Sequence, residues 1–209
     1  MKNQNDMVDE YGWTNDEACC SSKYITPAVL KLFGKYHPQK ILDLGAGNGD
    51  LCNSIHKAGF NVVGIEPDEQ GYWISKEHYK DINFYNLSCY DSPSKLPESD
   101  FDFIVSTEVI EHLYSPKKLI KFAHQVLPQG GKILLTAPFH GYLKNLIISL
   151  LNGWDIQHTS LWDGKHIKFW SFKTMTKLLD ENGFKVIYKW GCGRVPYIWK
   201  SMIVIAEKY

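Results

Sequence analysis

The sequence is short of the features that would recruit a large charged or membranous partner. Lysine plus arginine and aspartate plus glutamate both number 23, so the formal net charge is zero. No basic field is available to draw a nucleic-acid backbone over a broad surface. No run approaches the ~20 apolar residues of a membrane span. The five cysteines, Cys19, Cys20, Cys52, Cys89 and Cys192, form no Cys-x-x-Cys pair. An odd, scattered set of this kind reads as reduced thiols in a cytoplasmic protein. Internal repeats and low-complexity tracts are absent, and the polar, acidic stretch Met1 to Glu10 is no signal peptide. The length of 209 residues suits one well-buried domain and is short for two. Aromatic residues, by contrast, make up 14% of the chain, which points to an aromatic-lined site or interface.

One stretch organises the rest: Lys40-Ile41-Leu42-Asp43-Leu44-Gly45-Ala46-Gly47-Asn48-Gly49-Asp50-Leu51. Ile41, Leu42 and Leu44 are the apolar run of a buried parallel strand. Gly45, Gly47 and Gly49 allow a sharp turn and leave main-chain amides bare to a ligand. The helix that follows aims its N–H groups and the positive end of its dipole at the same place. The spacing is Gly-x-Gly-x-Gly, not the dinucleotide Gly-x-Gly-x-x-Gly, and Asp50 stands where the third glycine would be. Asp43 suits an ammonium or sulfonium better than a pyrophosphate. Glu66 closes the next strand, near the ~20-residue spacing of a carboxylate that grips two ribose hydroxyls. A ligand with a cation, a carboxylate and a ribose fits, and S-adenosylmethionine (SAM) has all three.

Asp43-Leu44-Gly45-Ala46-Gly47-Asn48-Gly49 with Glu66 resembles the class I SAM-dependent methyltransferases, and the likeness runs from about Ile25 onward. Within them Glu108-x-x-Glu111-His112 resembles a motif of the ubiquinone-pathway O-methyltransferases, and His140-Gly141-Tyr142-Leu143-Lys144-Asn145 with Trp162-Asp163-Gly164-Lys165-His166 resembles one bacterial subgroup of these enzymes. The resemblance implies a cofactor site made of Asp43, Gly45, Ala46, Gly47, Asn48, Gly49, Glu66 and Pro67. It adds adenine contacts from Ser88, Cys89 and Tyr90, with Asp91 slightly late for the usual acid, and then Thr107 and Glu108 after strand four. The segment holding Tyr11 and Trp13 is expected to fold over the cofactor, with Trp13 as a plain cap on the core as the alternative. Residues 1–24 are read as this cap segment, and 25–209 as a single domain.

Taken in order, strand and helix signals alternate. Thr26-Pro27 reads as a helix start. Strands are expected at 41–44, 62–66, 82–87, 101–105 and 132–136, with helices near 51–58, 69–79 and 116–126. The pattern implies a doubly wound, Rossmann-like parallel sheet with helices on both faces. Ser171 caps a last helix, and 184–190 and 202–206 are the final strands. The resemblance pairs these two as an edge hairpin, giving seven strands with an antiparallel last one. Residues 137–170 are too long for a simple connection and are read as an insertion that forms the acceptor site.

Methyl transfer needs alignment of acceptor, methyl and sulfur, and sometimes removal of a proton. His140, His112, His166 and His158 are the candidate catalytic groups, and Tyr11, Trp13, Tyr142, Trp162 and Asp163 the candidate substrate contacts. On a helix, Glu108 would share a face with Glu111 or His112, so these three could hold a divalent cation with His158 or His166 completing the set. The competing reading is a metal-free corner between sheet and helix. Leu143, Leu146, Ile147, Leu150, Leu151 and Trp154 make an apolar helix suited to burial or a dimer contact, with peripheral membrane docking as the other option. The function expected is methylation of a small molecule, at oxygen. Alternatives are a sugar, lipid-linked or nitrogen acceptor, another SAM reaction such as cyclisation, and a SAM-binding regulatory domain, in a monomer or a homodimer. Nucleic-acid modification is disfavoured by the charge.

Overall fold

The alternating apolar runs condense into one sheet. A computed structural model describes residues 12–155 and 166–209. In chain order the elements are α1 (Ser22–Tyr36), β1 (Ile41–Leu44), α2 (Asp50–Lys57), β2 (Val62–Ile65), α3 (Glu69–His78), β3 (Asn83–Tyr85) and β4 (Phe103–Thr107). They continue with α4 (Pro116–Val126), β5 (Lys132–Pro138), α5 (Tyr142–Leu150), α6 (Phe172–Asp180), β6 (Phe184–Cys192) and β7 (Ser201–Lys208). The strand order is β3-β2-β1-β4-β5-β7-β6. Every pair from β3 to β5 is parallel, and β7 runs antiparallel to both β5 and β6. The expected doubly wound sheet with its antiparallel last strand is the observed one.

Side chains alternate across β1, so Leu42 and Leu44 enter one core while Ile41 enters the other. The first core is completed by Leu119, Phe122 and Ala123 of α4 and Met175 and Leu179 of α6. The second takes Val29, Leu32 and Phe33 from α1 and Leu51 and Ile55 from α2. Phe33 sits edge-on to Phe103 at 5.2 Å between ring centres, and each such fully buried side chain contributes about 1.5–3 kcal/mol of hydrophobic stabilisation. Because the strands are parallel, their C-terminal ends line up along one rim, the place where an open α/β sheet binds ligands.

Three local expectations are corrected. The first helix starts at Ser22, and Pro27 lies inside it. Ile25 N–H donates to Ser21 O at 3.0 Å and Ile25 is buried, so burial outweighs the one bond that Pro27 removes. The boundary drawn between 24 and 25 therefore falls within α1. Residues 110–112 form a 3-10 turn, and Glu108 has a left-handed backbone with φ of 54°. Glu108, Glu111 and His112 consequently share no helix face. The apolar helix α5 is not packed away: Leu150 and Leu151 are 76% and 75% exposed, and its buried residue is Lys144. Among the described residues no helix is long and apolar enough to cross a membrane.

Candidate active site

The β1–α2 loop is a strained turn held by its neighbours. Gly45, Gly47 and Gly49 have φ of 91°, 56° and 84°, in the left-handed region that glycine alone enters freely. Space at the first two is also taken. A Cβ on Gly45 would lie 2.6 Å from Val109 Cγ2, and one on Gly47 would lie 2.5 Å from the Trp13 ring. Trp13 also packs on Gly71 at the start of α3. Asn48 is buried and its Nδ2 donates to Asn15 O at 3.0 Å and Glu17 O at 2.9 Å. This one side chain therefore straps the N-terminal segment across the loop.

Glu66 leaves the end of β2 and is fixed from both sides. Gly47 N–H donates to Oε2 at 2.6 Å, and Asp68 N–H donates to Oε1 at 2.8 Å. Burial pushes its carboxyl up to about 7 against these two bonds, which favour the charge. Asp68 in turn caps α3 by accepting from Gly71 N–H at 2.7 Å. After β3, Tyr90 N–H donates to Ser88 Oγ at 3.2 Å. Asp91 turns away into an ion pair with Lys95 at 2.6 Å, whose hydrogen bond holds its carboxyl below the usual range.

A cavity of about 300 Å³ runs along this rim, within the range of small-ligand sites. Of the residues expected at the cofactor, Gly45, Ala46, Gly47, Asn48, Glu66, Pro67, Ser88, Tyr90, Thr107 and Glu108 line it, with Trp13 and His112. Cys19, Ser21, Ser22, Ile25 and Thr26, from the strap and the first turns of α1, line it as well. Val109, Leu113, Tyr114 and Ile167 also line it. Glu108 sits at the end of β4. Thr136 Oγ1 donates to its Oε1 at 2.9 Å, and Ser201 Oγ donates to its Oε2 at 3.1 Å. Burial raises the Glu108 carboxyl to about 7, opposed by those hydroxyls and by the charge of Lys144.

Comparison with known proteins identifies the family. The profile of a family described as a methyltransferase domain matches residues 20–189. The chain belongs to that family. It is 28% identical over 180 residues to the mitochondrial ubiquinone biosynthesis O-methyltransferase of Mus musculus, covering 78% of this chain and 47% of the relative. It is 30% identical over 122 residues to the ubiquinone biosynthesis O-methyltransferase of Hydrogenovibrio crunogenus, covering 56% of this chain and 50% of the relative. The chain thus spans about half the length of the curated relatives it matches. Magnesium protoporphyrin IX methyltransferase of Synechocystis, solved with bound SAH, superposes with a TM-score of 0.68 at 15% identity, covering 88% of this chain and 82% of that chain. A SAM-dependent methyltransferase from Archaeoglobus fulgidus gives 0.64 at 15% identity, covering 90% and 97%. These two show the shared fold.

Other expected site residues of this methyltransferase domain lie elsewhere. Asp43 points to the α1–α2 face, where Cys52 Sγ donates to its Oδ2 at 3.3 Å. It is fully buried, which pushes its carboxyl up to about 7, and it is not among the lining residues. Its place in period-two register with Ile41 explains the direction. Gly49 packs on Ser75, Tyr79 and Phe84 rather than facing the cavity. Cys89 is buried in the core. His140 packs edge-on to Phe169 at 4.9 Å, and Tyr142 is 84% exposed. Tyr11, His158, Trp162 and Asp163 lie outside the described residues.

The cation set expected from Glu108, Glu111 and His112 is assembled differently. Ligand atoms of Glu111, His112 and His166 all lie within 4.8 Å of one another, while Glu108 is engaged by Thr136 and Ser201. Ile167 N–H and Lys168 N–H both donate to Glu111 O, at 3.0 and 3.1 Å, which brings His166 beside the turn. Glu111 is 0% exposed, and burial, with the negative charge of Glu108, holds its carboxyl well above the usual range.

Proposed function

We propose that the protein transfers a methyl group from S-adenosylmethionine to an oxygen of a small-molecule acceptor. The observation that carries this reading is the wall shared by the glycine loop and Glu66. A carboxylate fixed by Gly47 and Asp68 N–H groups still has lone pairs for ribose hydroxyls. Ser88 and Tyr90 extend the same cavity on the β3 side, where the resemblance implies adenine. When bound, the cofactor supplies a methyl on a positively charged sulfur. The chain's own residues bind, orient and exclude water, with Trp13, Leu113 and Ile167 as apolar walls. The O-methyltransferase names of the relatives support oxygen as the attacked atom. Five free cysteines support a cytoplasmic setting.

The test is isothermal titration of the full chain with SAM and with S-adenosylhomocysteine (SAH), followed by a mass-shift screen of phenols, catechols and quinols. Saturable binding of both nucleosides and a one-methyl mass gain on an acceptor are expected. Heat from neither nucleoside would sink the reading.

A resident divalent cation is a second reading, favoured by one observation. Among the described residues, neither carboxylate oxygen of Glu111 has a hydrogen-bond partner, although both are buried. Glu111, His112 and His166 would hold the ion, and it would supply Lewis acidity to the acceptor oxygen. One carboxylate with two imidazoles suits a first-row transition metal. Elemental analysis of the purified protein, with activity measured in chelator, decides it: full turnover without metal removes the ion from the mechanism.

A further inference from the structure

The cavity and the surface beside it carry opposite charge. Among the described residues Asp50, Glu66, Asp68 and Glu108 line the cavity, and no lysine or arginine does. Ser201 bonds to Glu108 at the edge of this acidic wall, and at the neighbouring residue, Lys200, the sign changes. Lys200 O accepts from Phe139 N–H at 2.9 Å and from Lys144 Nζ at 3.5 Å. The end of β5, the first turn of α5 and the start of β7 therefore meet at one point. The β6–β7 connection joins them there, because a Cβ on Gly193 would lie 2.9 Å from both Lys200 Cβ and the Tyr24 ring. Arg194 is the next residue, and it and Lys200 are near enough to Lys144 to repel its ammonium.

None of these three cations is paired with an acid. Among the described residues no carboxylate oxygen lies within 4.0 Å of Lys144, Arg194 or Lys200. Lys144 is buried, and its short contacts are the carbonyl oxygens of Phe139, at 2.9 Å, and Lys200. Glu108 attracts it only from longer range. A lysine is almost never buried without a partner. Lys144 also stands in the first turn of α5, where Gly141 gives no side-chain cap and no acid is present. The free amides and dipole of a helix start favour an anion there and disfavour a cation. Local chemistry from three separate segments thus calls for the same missing charge.

We propose that Lys144, Arg194, Lys200 and the first turn of α5 bind the phosphate of a phosphomonoester carried by the methyl acceptor. The acceptor assignment rests on the SAM reading above, while the phosphate site stands without it. A phosphomonoester carries about −1.5 to −2 charge at neutral pH and three strong acceptor oxygens. That matches three cations and a helix start better than a monoanionic carboxylate does. Arg194 offers a planar fork and the lysines offer point charges. The acids of the cavity repel the same group, so the boundary at Ser201 orients such an acceptor. Its phosphate lies on the β5–β7 side and the rest of the molecule extends toward the cofactor.

Calorimetric titration of the full chain, with and without SAH, tests this with phenyl phosphate, benzoate and phenol. Phenyl phosphate is expected to saturate, with benzoate at least about tenfold weaker and phenol weaker still. Arg194→Gln and Lys200→Gln, both at exposed positions, should each weaken phenyl phosphate by about tenfold, the worth of one charge-assisted bond. SAH affinity should stay within about twofold in both. Lys144→Met should weaken phenyl phosphate more than either, and the two surface variants decide the matter if that chain does not fold. Equal affinity for benzoate and phenyl phosphate overturns the proposal, as does a phenyl phosphate affinity that neither surface variant changes. Phosphatidylcholine vesicles with and without phosphatidic acid separate an ester in solution from a lipid headgroup: binding to the acidic vesicles alone, with none to phenyl phosphate, also overturns it. SAH binding without phenyl phosphate binding defeats this proposal and leaves the cofactor reading intact. Phenyl phosphate binding without SAM or SAH binding defeats the cofactor reading and the acceptor assignment with it.

Discussion

The two halves of the rim are built by different means. On the β1–β3 side, the cavity wall comes from residues that follow their strands within a few positions: the glycine loop, Glu66 and Ser88. On the β4–β7 side the wall also starts from a strand end, at Glu108, but the contacts that hold it come from long sequence distances. Ser201 reaches Glu108 from 93 residues away, and residues 166–170 return to the 110–112 turn through main-chain bonds to Glu111. A short-range wall keeps its shape whatever is inserted elsewhere. A long-range wall changes with every insertion, and such a wall suits the side that must recognise a particular acceptor.

The largest expected effect falls on the short-range wall. Glu66→Ala removes the carboxylate and leaves Gly47 N–H and Asp68 N–H without their acceptor. Hydrogen bonds to a charged group contribute about 1.5–3 kcal/mol each, so SAH affinity should fall by about a hundredfold in calorimetric titration. Tyr142→Ala, at a fully solvated position of the insertion, should leave SAH affinity unchanged. Comparable losses in the two variants would mean that the halves are not separable.

A smaller effect spans both halves. Burial raises Asp43, Glu66 and Glu108 to about 7 in the folded chain. A carboxyl whose folded pKa exceeds its unfolded value binds its proton more tightly when folded. Its contribution is therefore fully present below the unfolded pKa and is lost as pH rises through the folded one. The thermal midpoint of the ligand-free protein should fall as pH climbs from about 4.5 to about 7. Asp43→Asn should flatten that slope, because an amide at this buried position does not ionise. A midpoint that rises over the window, or a slope untouched by Asp43→Asn, would contradict the assignment.

The same contrast decides what could be read from the sequence. The glycine turn, Glu66 and the rim position of Ser88 and Tyr90 were legible because spacing alone places them at strand ends. The place of Asp43 just before the glycine turn points it toward the ligand, but its alternation with Leu42 and Leu44 sends it to the opposite core, against Cys52. Ser21, Ser22 and Thr26 were missed as wall residues because Thr26-Pro27 has the local chemistry of a helix start. The burial of Ile25 that overrides it is a tertiary fact. The Ser201–Glu108–Thr136 cluster carries no sequence signal at all, since nothing local ties a serine on β7 to a glutamate after β4. The capping box at Ser171 and Thr174, by contrast, is wholly local and was legible through its serine.

The smallest effect belongs to α5, where sequence and structure part most clearly. Leu143, Leu146, Ile147, Leu150, Leu151 and Trp154 form an apolar set at helical spacing, yet all six stay substantially exposed. The helix is anchored instead by Lys144, whose Nζ donates to Phe139 O, while Trp154 Nε1 folds back to donate to Ser149 Oγ of the same helix at 3.1 Å. Leu150→Gln with Leu151→Gln should therefore shift stability by about 0.5 kcal/mol or less, as at a free surface. Ile104→Ala in the core, where Ile104 is fully buried, should cost about 2–5 kcal/mol. Denaturant titration of both variants supplies the comparison. A core-sized loss from the two glutamines would show that this face of α5 is covered in solution, and that the long-range half of the rim extends further than its hydrogen bonds indicate.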